Sequence, residues 1–360
     1  MSVVLREACS RCMRRSRLIG RIAGSIDNAV AGRPTAATPL LALSDHELVA
    51  ALASMKPPTS AGPPPKIDPS VGWVCRHSDG YPRRMHRLDE VDLGSPAVVW
   101  FVGDPACVAD AGVGPAVTII GTRKASAYGI AVAEQLGRGL AAAGVTVISG
   151  LALGIDAAAH RGVVSGTGRA LAVLAGGADA PYPPSNRRLY ADVVAHGAVI
   201  SELPPGSPSF RWGFPARNRL MAALGLLTIV VECRERSGTL ITVAQAQQLG
   251  RPVAAVPGPI DTPFARGSNT LLREGAPPIL SVSDVLDELF GVGIGERISP
   301  PERQRPGDPL QLTVLEAIEG GESLEQIGER LSARGVRGAL GQLELGGHLV
   351  RDPFGGYRAR

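Results

Sequence analysis

Residues 117–129 read Val-Thr-Ile-Ile-Gly-Thr-Arg-Lys-Ala-Ser-Ala-Tyr-Gly. Four β-branched residues run straight into a glycine and then two cations. Such a run suits a parallel strand that helices cover on both faces. A glycine directly after a strand lets the backbone approach a ligand closely. A helix behind it presents free N–H groups and the positive end of its dipole. The loop is neither G-x-G-x-x-G nor G-x-x-x-x-G-K-[ST], so neither dinucleotide nor P-loop chemistry is indicated.

The same unit recurs outward from this stretch. Short apolar strands are predicted at 117–120, 145–149, 170–174, 198–201, 228–232 and 253–256. Helical patterns at 128–143, 156–164, 187–195, 216–224 and 239–249 separate them. This alternation predicts a doubly wound, mostly parallel α/β sheet. Its ligand site is expected at the carboxyl ends of the strands, where the strand order reverses.

Those strand ends carry unusual residues. After the first come Gly121, Thr122, Arg123 and Lys124. After the second come Ser149, Gly150 and Gly154, then Asp156 and His160, which share a helix face four residues apart. That pair reads either as a catalytic couple or as a structural one. After the fourth strand, Phe210, Trp212 and Phe214 interleave with Arg211, as suits bases stacked over phosphates or aromatics pinning a long loop. Arg217 and Arg219 then flank Asn218 at a predicted helix start, where cations oppose the helix dipole. A local rule broken in this way points to an anionic ligand. After the fifth strand, Ser237-Gly238-Thr239 offers hydroxyl and backbone donors for an anion. Several strand ends thus aim glycines, hydroxyls or arginines at one crevice.

Composition bounds the remainder. The 360 residues allow two or three domains. The net charge is +4 and lysine occurs only at Lys56, Lys66 and Lys124, so arginine carries the positive charge. Its planar fork grips phosphate. No run approaches the roughly 20 apolar residues of a membrane span, and no signal peptide is read. The five cysteines are scattered, which argues for a reducing cytoplasm. No G-x-S-x-G, H-E-x-x-H or nucleophilic set appears, and no cofactor is expected. One feature stands apart: Cys9-x-x-Cys12, with Cys75-x-His77 later, offers a four-ligand set of zinc type.

Four regions are expected. Residues 1–66 form a helical region, with a helix at 45–53 capped by Ser44, ending in the proline-rich linker KPPTSAGPPPK (56–66). Residues 67–290 form the α/β domain, and 291–308 a second linker. Residues 309–360 hold helices at 312–319, 324–331 and 336–345, then a hairpin turning at 354–356, which is the order of a winged helix.

With these residues in view, the chain resembles the DNA processing protein A family (DprA/Smf). The resemblance rests on IIGTRKASAYG, SGLALGIDAAAH, YPPSN, SELPPG, FPARNR, ERSGTLIT, VPG and GSNTLLREGA, in the family's order. It implies an extended Rossmann domain that binds single-stranded DNA, forms a homodimer and loads the RecA recombinase on incoming strands during natural transformation. By motif, Arg123, Arg217 and Arg219 would hold phosphates. Gly121, Thr122, Lys124, Ser149, Gly150, Asn218, Ser237, Gly238 and Thr239 would line the same pocket, and Phe214 would contact a base. The alternative is a Rossmann-like nucleotide-processing hydrolase with Glu202 or Glu232 as its base.

Overall fold

The computed structural model describes residues 5–53, 67–292, 306–345, 348–351 and 356–359. They fall into two compact units, Met1–Pro300 and Pro301–Arg360.

The first unit is built on nine strands. In chain order they are β1 (Arg6–Glu7), β2 (Val71–Cys75), β3 (Val98–Gly103), β4 (Ala116–Ile120), β5 (Thr146–Ser149), β6 (Ala170–Val173), β7 (Gly197–Ser201), β8 (Leu227–Val230) and β9 (Val253–Ala255). Their order across the sheet is β1-β2-β3-β7-β6-β5-β4-β8-β9. The six strands from β7 to β9 are parallel. Within the parallel core the chain enters at β4, winds outward to β7, then returns to β8 on the other side of β4. The reversal therefore falls beside the loop that follows Ile120.

β4 to β9 are buried along their whole length. Two apolar clusters cover the two faces of the sheet. One gathers Ile120, Ile148, Leu171, Ile200 and Val230, and the other Val117, Val147, Ala172, Val199 and Ile229. Each fully buried valine, leucine or isoleucine among them contributes about 1.5–3 kcal/mol. Five predicted helices follow the strands as Ala127–Ala142, Ile155–Val164, Arg187–His196, Gly213–Leu224 and Thr239–Gln248.

The antiparallel wing was not foreseen. β3 pairs antiparallel with both β2 and β7, which adds strands beyond the parallel core. Residues 98–103 are apolar enough for a strand, but the helix that follows, Pro105–Asp110, is only six residues long and too short to show the amphipathic period that marks the others.

The N-terminal helices share a core with the sheet domain. Helix Ser10–Ala29 is pinned by two tryptophans: Trp100 Nε1 donates to Ser16 Oγ at 2.9 Å, and Trp212 Nε1 to the Ala23 carbonyl at 3.0 Å. Ile19, Ile26, Leu41 and Leu48 pack with Leu203, Trp212 and Ala216. Helix Asp45–Leu52 opens with a capping box between Ser44 and Glu47.

The second unit holds helices Pro309–Glu319, Leu324–Arg330 and Ala333–Leu345, then an antiparallel pair, β10 (Leu349–Arg351) and β11 (Tyr357–Ala359). Ser323 caps its helix reciprocally with Gln326. The linker at 56–66, most of that at 291–308 and most of the 354–356 turn lie outside the described residues. Among the described residues, no helix is long and apolar enough to cross a membrane.

Candidate functional site

The loop after β4 is locked from below. Ser126 caps helix Ala127–Ala142 by accepting the Gly129 N–H at 3.1 Å. The buried Glu232 carboxylate accepts the Ser126 N–H at 2.9 Å and its hydroxyl at 2.5 Å. The Thr122 N–H donates to the Glu232 carbonyl at 2.7 Å, and the Lys124 N–H to Thr122 Oγ1 at 3.2 Å. With the backbone thus held, the Arg123 and Lys124 side chains stand exposed at the rim.

The loop after β5 is strained and equally fixed. Leu151 has φ 54° and Gly154 φ 77°. The left-handed region costs a branched residue about 1–3 kcal/mol, and such strain clusters at ligand sites. The Leu151 side chain is wholly buried and its carbonyl accepts Asn186 Nδ2 at 2.9 Å. Gly154 needs its positive φ, and its backbone packs directly on Thr122 and Arg123.

A cleft opens between these loops. It is lined by Arg123, Gly150, Ala152, Leu153, Leu174, Ala175, Tyr182, Pro183, Ser209, Phe214 and Arg217. The Arg123 guanidinium lies over the Phe214 ring, 4.9 Å from its centre, and Tyr182 tilts against the same ring at 5.4 Å. A cation over an aromatic face contributes about 0.5–1 kcal/mol when exposed. The interior of the cleft measures about 80 Å³. Enclosed small-molecule sites run to about 300–1,000 Å³. This one fits a phosphate or a single inserted ring, and it is open to an extended chain.

Arg217 forms the floor. It is 7% exposed, and its guanidinium donates to the Gly150 carbonyl at 2.7 Å and to that of Val173. Its Nε donates to Asn218 Oδ1 at 3.0 Å, and Asp156 stands 3.6 Å away. Gly150 permits this approach, since a β-carbon there would overlap the guanidinium. Burial lowers the Arg217 pKa to about 10, so it stays charged at neutral pH. Burial pushes the Asp156 carboxyl up, and Arg217 pulls it back. Asp156 also accepts the Gly150 N–H at 3.2 Å.

Three expectations are corrected here. Arg219 does not reach the cleft: it is 0% exposed, and its guanidinium is consumed by Glu202 at 2.8 and 2.9 Å, the Leu93 carbonyl at 2.9 Å and the Ala216 carbonyl at 3.1 Å. The helix begins at Gly213, earlier than the sequence indicated, so Arg217 and Arg219 sit beyond its first turn. The unfavourable dipole argument therefore lapses, and Glu202 rather than a ligand neutralises Arg219. Ser149 is also withdrawn, because its buried hydroxyl donates to the Ile119 carbonyl at 2.6 Å and ties β5 to β4. Trp212 is a pin for the N-terminal helices, with Phe210 stacked on it at 6.2 Å.

Other residues fall nearby. Gly121 and Thr122 support the rim without lining the cleft. Ser237, Gly238 and Thr239 lie past β8, on the same sheet edge but outside the cleft, with Gly238 exposed and Thr239 buried. The Ser237 and Thr239 hydroxyls bond each other at 3.0 Å. Tyr182 went unassigned from the sequence. Its signal was an aromatic at the end of the loop after β6, immediately before Pro183.

Asp156 and His160 do not act as a pair. His160 is wholly buried, and its ring faces only the Ser149 backbone, short of full hydrogen-bond geometry. Burial lowers its pKa to about 4. An unfolded histidine titrates near ~6.5, so unfolding takes up a proton between these values. Stability is therefore full above about pH 6.5 and falls as the pH drops towards 4, by about 1.4 kcal/mol per unit. Urea midpoints measured across that range should fall less steeply for His160→Leu than for the wild-type chain.

Cys9, Cys12, Cys75 and His77 also converge, although the two pairs are far apart in sequence; their donor atoms all lie within 4.8 Å of one another.

Residues 72–290, more than half of the chain, match the model of the family described as DNA recombination-mediator protein A. The chain belongs to the DNA recombination-mediator protein A family. It is 41% identical over 264 residues to the putative DNA processing protein DprA of Mycobacterium tuberculosis, covering 70% of this chain and 66% of that protein. To the Bacillus subtilis DprA it is 39% identical over 194 residues, 54% of this chain and 64% of that one. The chain thus spans just under two-thirds of these relatives' length. Among solved structures, DprA of Streptococcus pneumoniae aligns with a TM-score of 0.56 at 35% identity, over 60% of this chain and 74% of that one. DNA processing protein A of Helicobacter pylori, described for its single-stranded DNA binding mode, aligns with a TM-score of 0.53 at 25% identity, over 60% and 95%. Membership in this DNA-processing family agrees with the mostly parallel α/β sheet, and the matched region contains the whole cleft.

Proposed function

We propose that the chain binds single-stranded DNA along the carboxyl edge of its parallel sheet and acts as a recombination mediator for RecA, without catalysing a reaction. The observation that carries this is the exposed Arg123 stacked on Phe214 at the mouth of an open cleft. Arginine beside an aromatic face serves phosphate and base together, with little sequence preference. Ser237, Gly238 and Lys124 extend the polar track along the same edge, above the buried Thr239. The H. pylori relative's single-stranded DNA binding supports the reading. RecA loading, dimer formation and a winged-helix role for residues 309–360 are carried from the family resemblance as parts of the same proposal.

The hydrolase reading needs a free carboxylate base. Glu202 is bound on both oxygens by Arg219, and Glu232 by Ser126. Neither stands free to activate water, which favours the binding function.

Salt dependence tests the proposal. On single strands, log affinity against log salt should fall with a slope of about −0.7 for each phosphate neutralised. A slope near zero in fluorescence anisotropy with an oligonucleotide, or release of free base from nucleoside monophosphates, would refute it.

A further inference from the structure

We propose that Cys9, Cys12, Cys75 and His77 hold one structural zinc ion that fastens the first helix to the edge of the sheet. This site is remote in function from the DNA cleft and does not depend on the DNA-binding proposal.

The donors come from two short segments. Cys9 precedes helix Ser10–Ala29 and Cys12 lies in its first turn. Cys75 ends β2, and His77 lies in the turn that follows. Two knuckle-like pairs thus face each other across more than sixty residues of intervening chain. All four donor atoms are mutually within 4.8 Å. His77 Nδ1 lies 3.6 Å from Cys9 Sγ and 3.3 Å from Cys12 Sγ. A tetrahedral zinc with bonds of about 2.3 Å to sulfur and about 2.0–2.1 Å to nitrogen sets these edges near ~3.5 Å. The two observed separations bracket that value.

The surroundings suit a closed site. Backbone N–H groups face the sulfurs: that of Cys12 faces Cys9 Sγ, and those of Cys9 and His77 face Cys75 Sγ. Ser78 Oγ lies 3.4 Å from Cys75 Sγ and also donates to the Glu7 carbonyl. Such contacts spread the negative charge of thiolate ligands and orient them. Cys12 and Cys75 are buried against Val71, Val98 and Trp100, which closes the inner side. Three sulfurs and one imidazole nitrogen are a soft donor set that selects zinc over hard cations. Four protein ligands leave no open position, so the role is structural rather than catalytic.

The fold gives the ion something to do. β1 is two residues long and makes only two register pairs with β2. The ion would clamp both strands to the helix that Trp100 and Trp212 pin further along. None of the five cysteines is in a disulfide.

Metal content of the untagged full-length chain, purified under reducing conditions, tests this directly. We expect about one zinc per chain. Cobalt exchange should give a tetrahedral spectrum with thiolate-to-metal charge transfer. Cys12→Ser and Cys75→Ser should lose the metal, Cys107→Ser should keep it, and His77→Cys should retain it as a four-thiolate site. Wild-type chain that stays without zinc after reconstitution overturns the proposal whatever the variants do. A Cys9–Cys12 disulfide seen by mass under those conditions, or iron in place of zinc, overturns it equally.

Discussion

Arg219→Ala is expected to destabilise the folded chain by about 3–5 kcal/mol, as read by urea unfolding at neutral pH. Arg219 is 0% exposed and its partner Glu202 nearly as deeply set, so removal leaves a carboxylate without its counter-charge in a dry site. The loss also strips donors from the Leu93 and Ala216 carbonyls. The cost is mostly the stranded charge, not the net worth of the pair. Arg219→Met combined with Glu202→Leu should therefore recover much of the stability. A single variant within about 0.5 kcal/mol of wild type, the range of ordinary surface changes, would show that the ion pair is not formed. Direct contact of Arg219 with DNA would instead make the single variant stable and weak in binding.

Arg123→Ala is expected to weaken single-stranded DNA binding by about 10- to 100-fold at moderate salt. A hydrogen-bonded charge contributes about 1.5–3 kcal/mol, and each 1.4 kcal/mol is tenfold. Arg123 is exposed, so its removal should cost the fold no more than its contact with Phe214 contributes, about 0.5–1 kcal/mol. The salt slope should flatten by about 0.7, because one phosphate is no longer neutralised. Phe214→Leu separates the two halves of the site. It removes a stacking face with no change in charge, so affinity should fall while the slope holds. Arg161→Ala, where the arginine is engaged with Glu134 at 2.8 Å, serves as the control. Unchanged affinity and slope for Arg123→Ala would remove the cleft from the DNA path.

Arg123 and Arg219 meet opposite fates, although both were expected from the sequence to meet phosphate. Arg123 sits in a loop whose backbone is tied down by Glu232, so its side chain has nowhere to go but outward. Arg219 instead turns inward to the Leu93 carbonyl and to Glu202. Leu93 belongs to the segment between β2 and β3, the wing that the pattern hides because the helices after these strands, Arg87–Glu90 and Pro105–Asp110, are too short to carry the α/β rhythm. Glu202 comes from the loop after β7, a pairing that nothing local announces.

What the sequence by itself determined is the repeating part. Burial on both faces forces continuous β-branched apolar runs, and helix packing forces periodic ones, so five helices and six parallel strands were legible to within a few residues. The ordered motifs also marked the sheet edge where the cleft lies, because glycines and hydroxyls at strand ends follow from backbone geometry. Tertiary structure alone decided which donors remain free. Ser149 became a tie between strands, Arg217 a floor and Arg219 a buried ion pair, while Tyr182 joined Phe214 and Arg123 at the rim. The reason is physical: hydrogen-bond capacity is spent on whichever partner the fold brings near, and most of those partners lie tens of residues away. The same holds for Cys9, Cys12, Cys75 and His77, which only the seating of the first helix against β2 brings within reach of one ion.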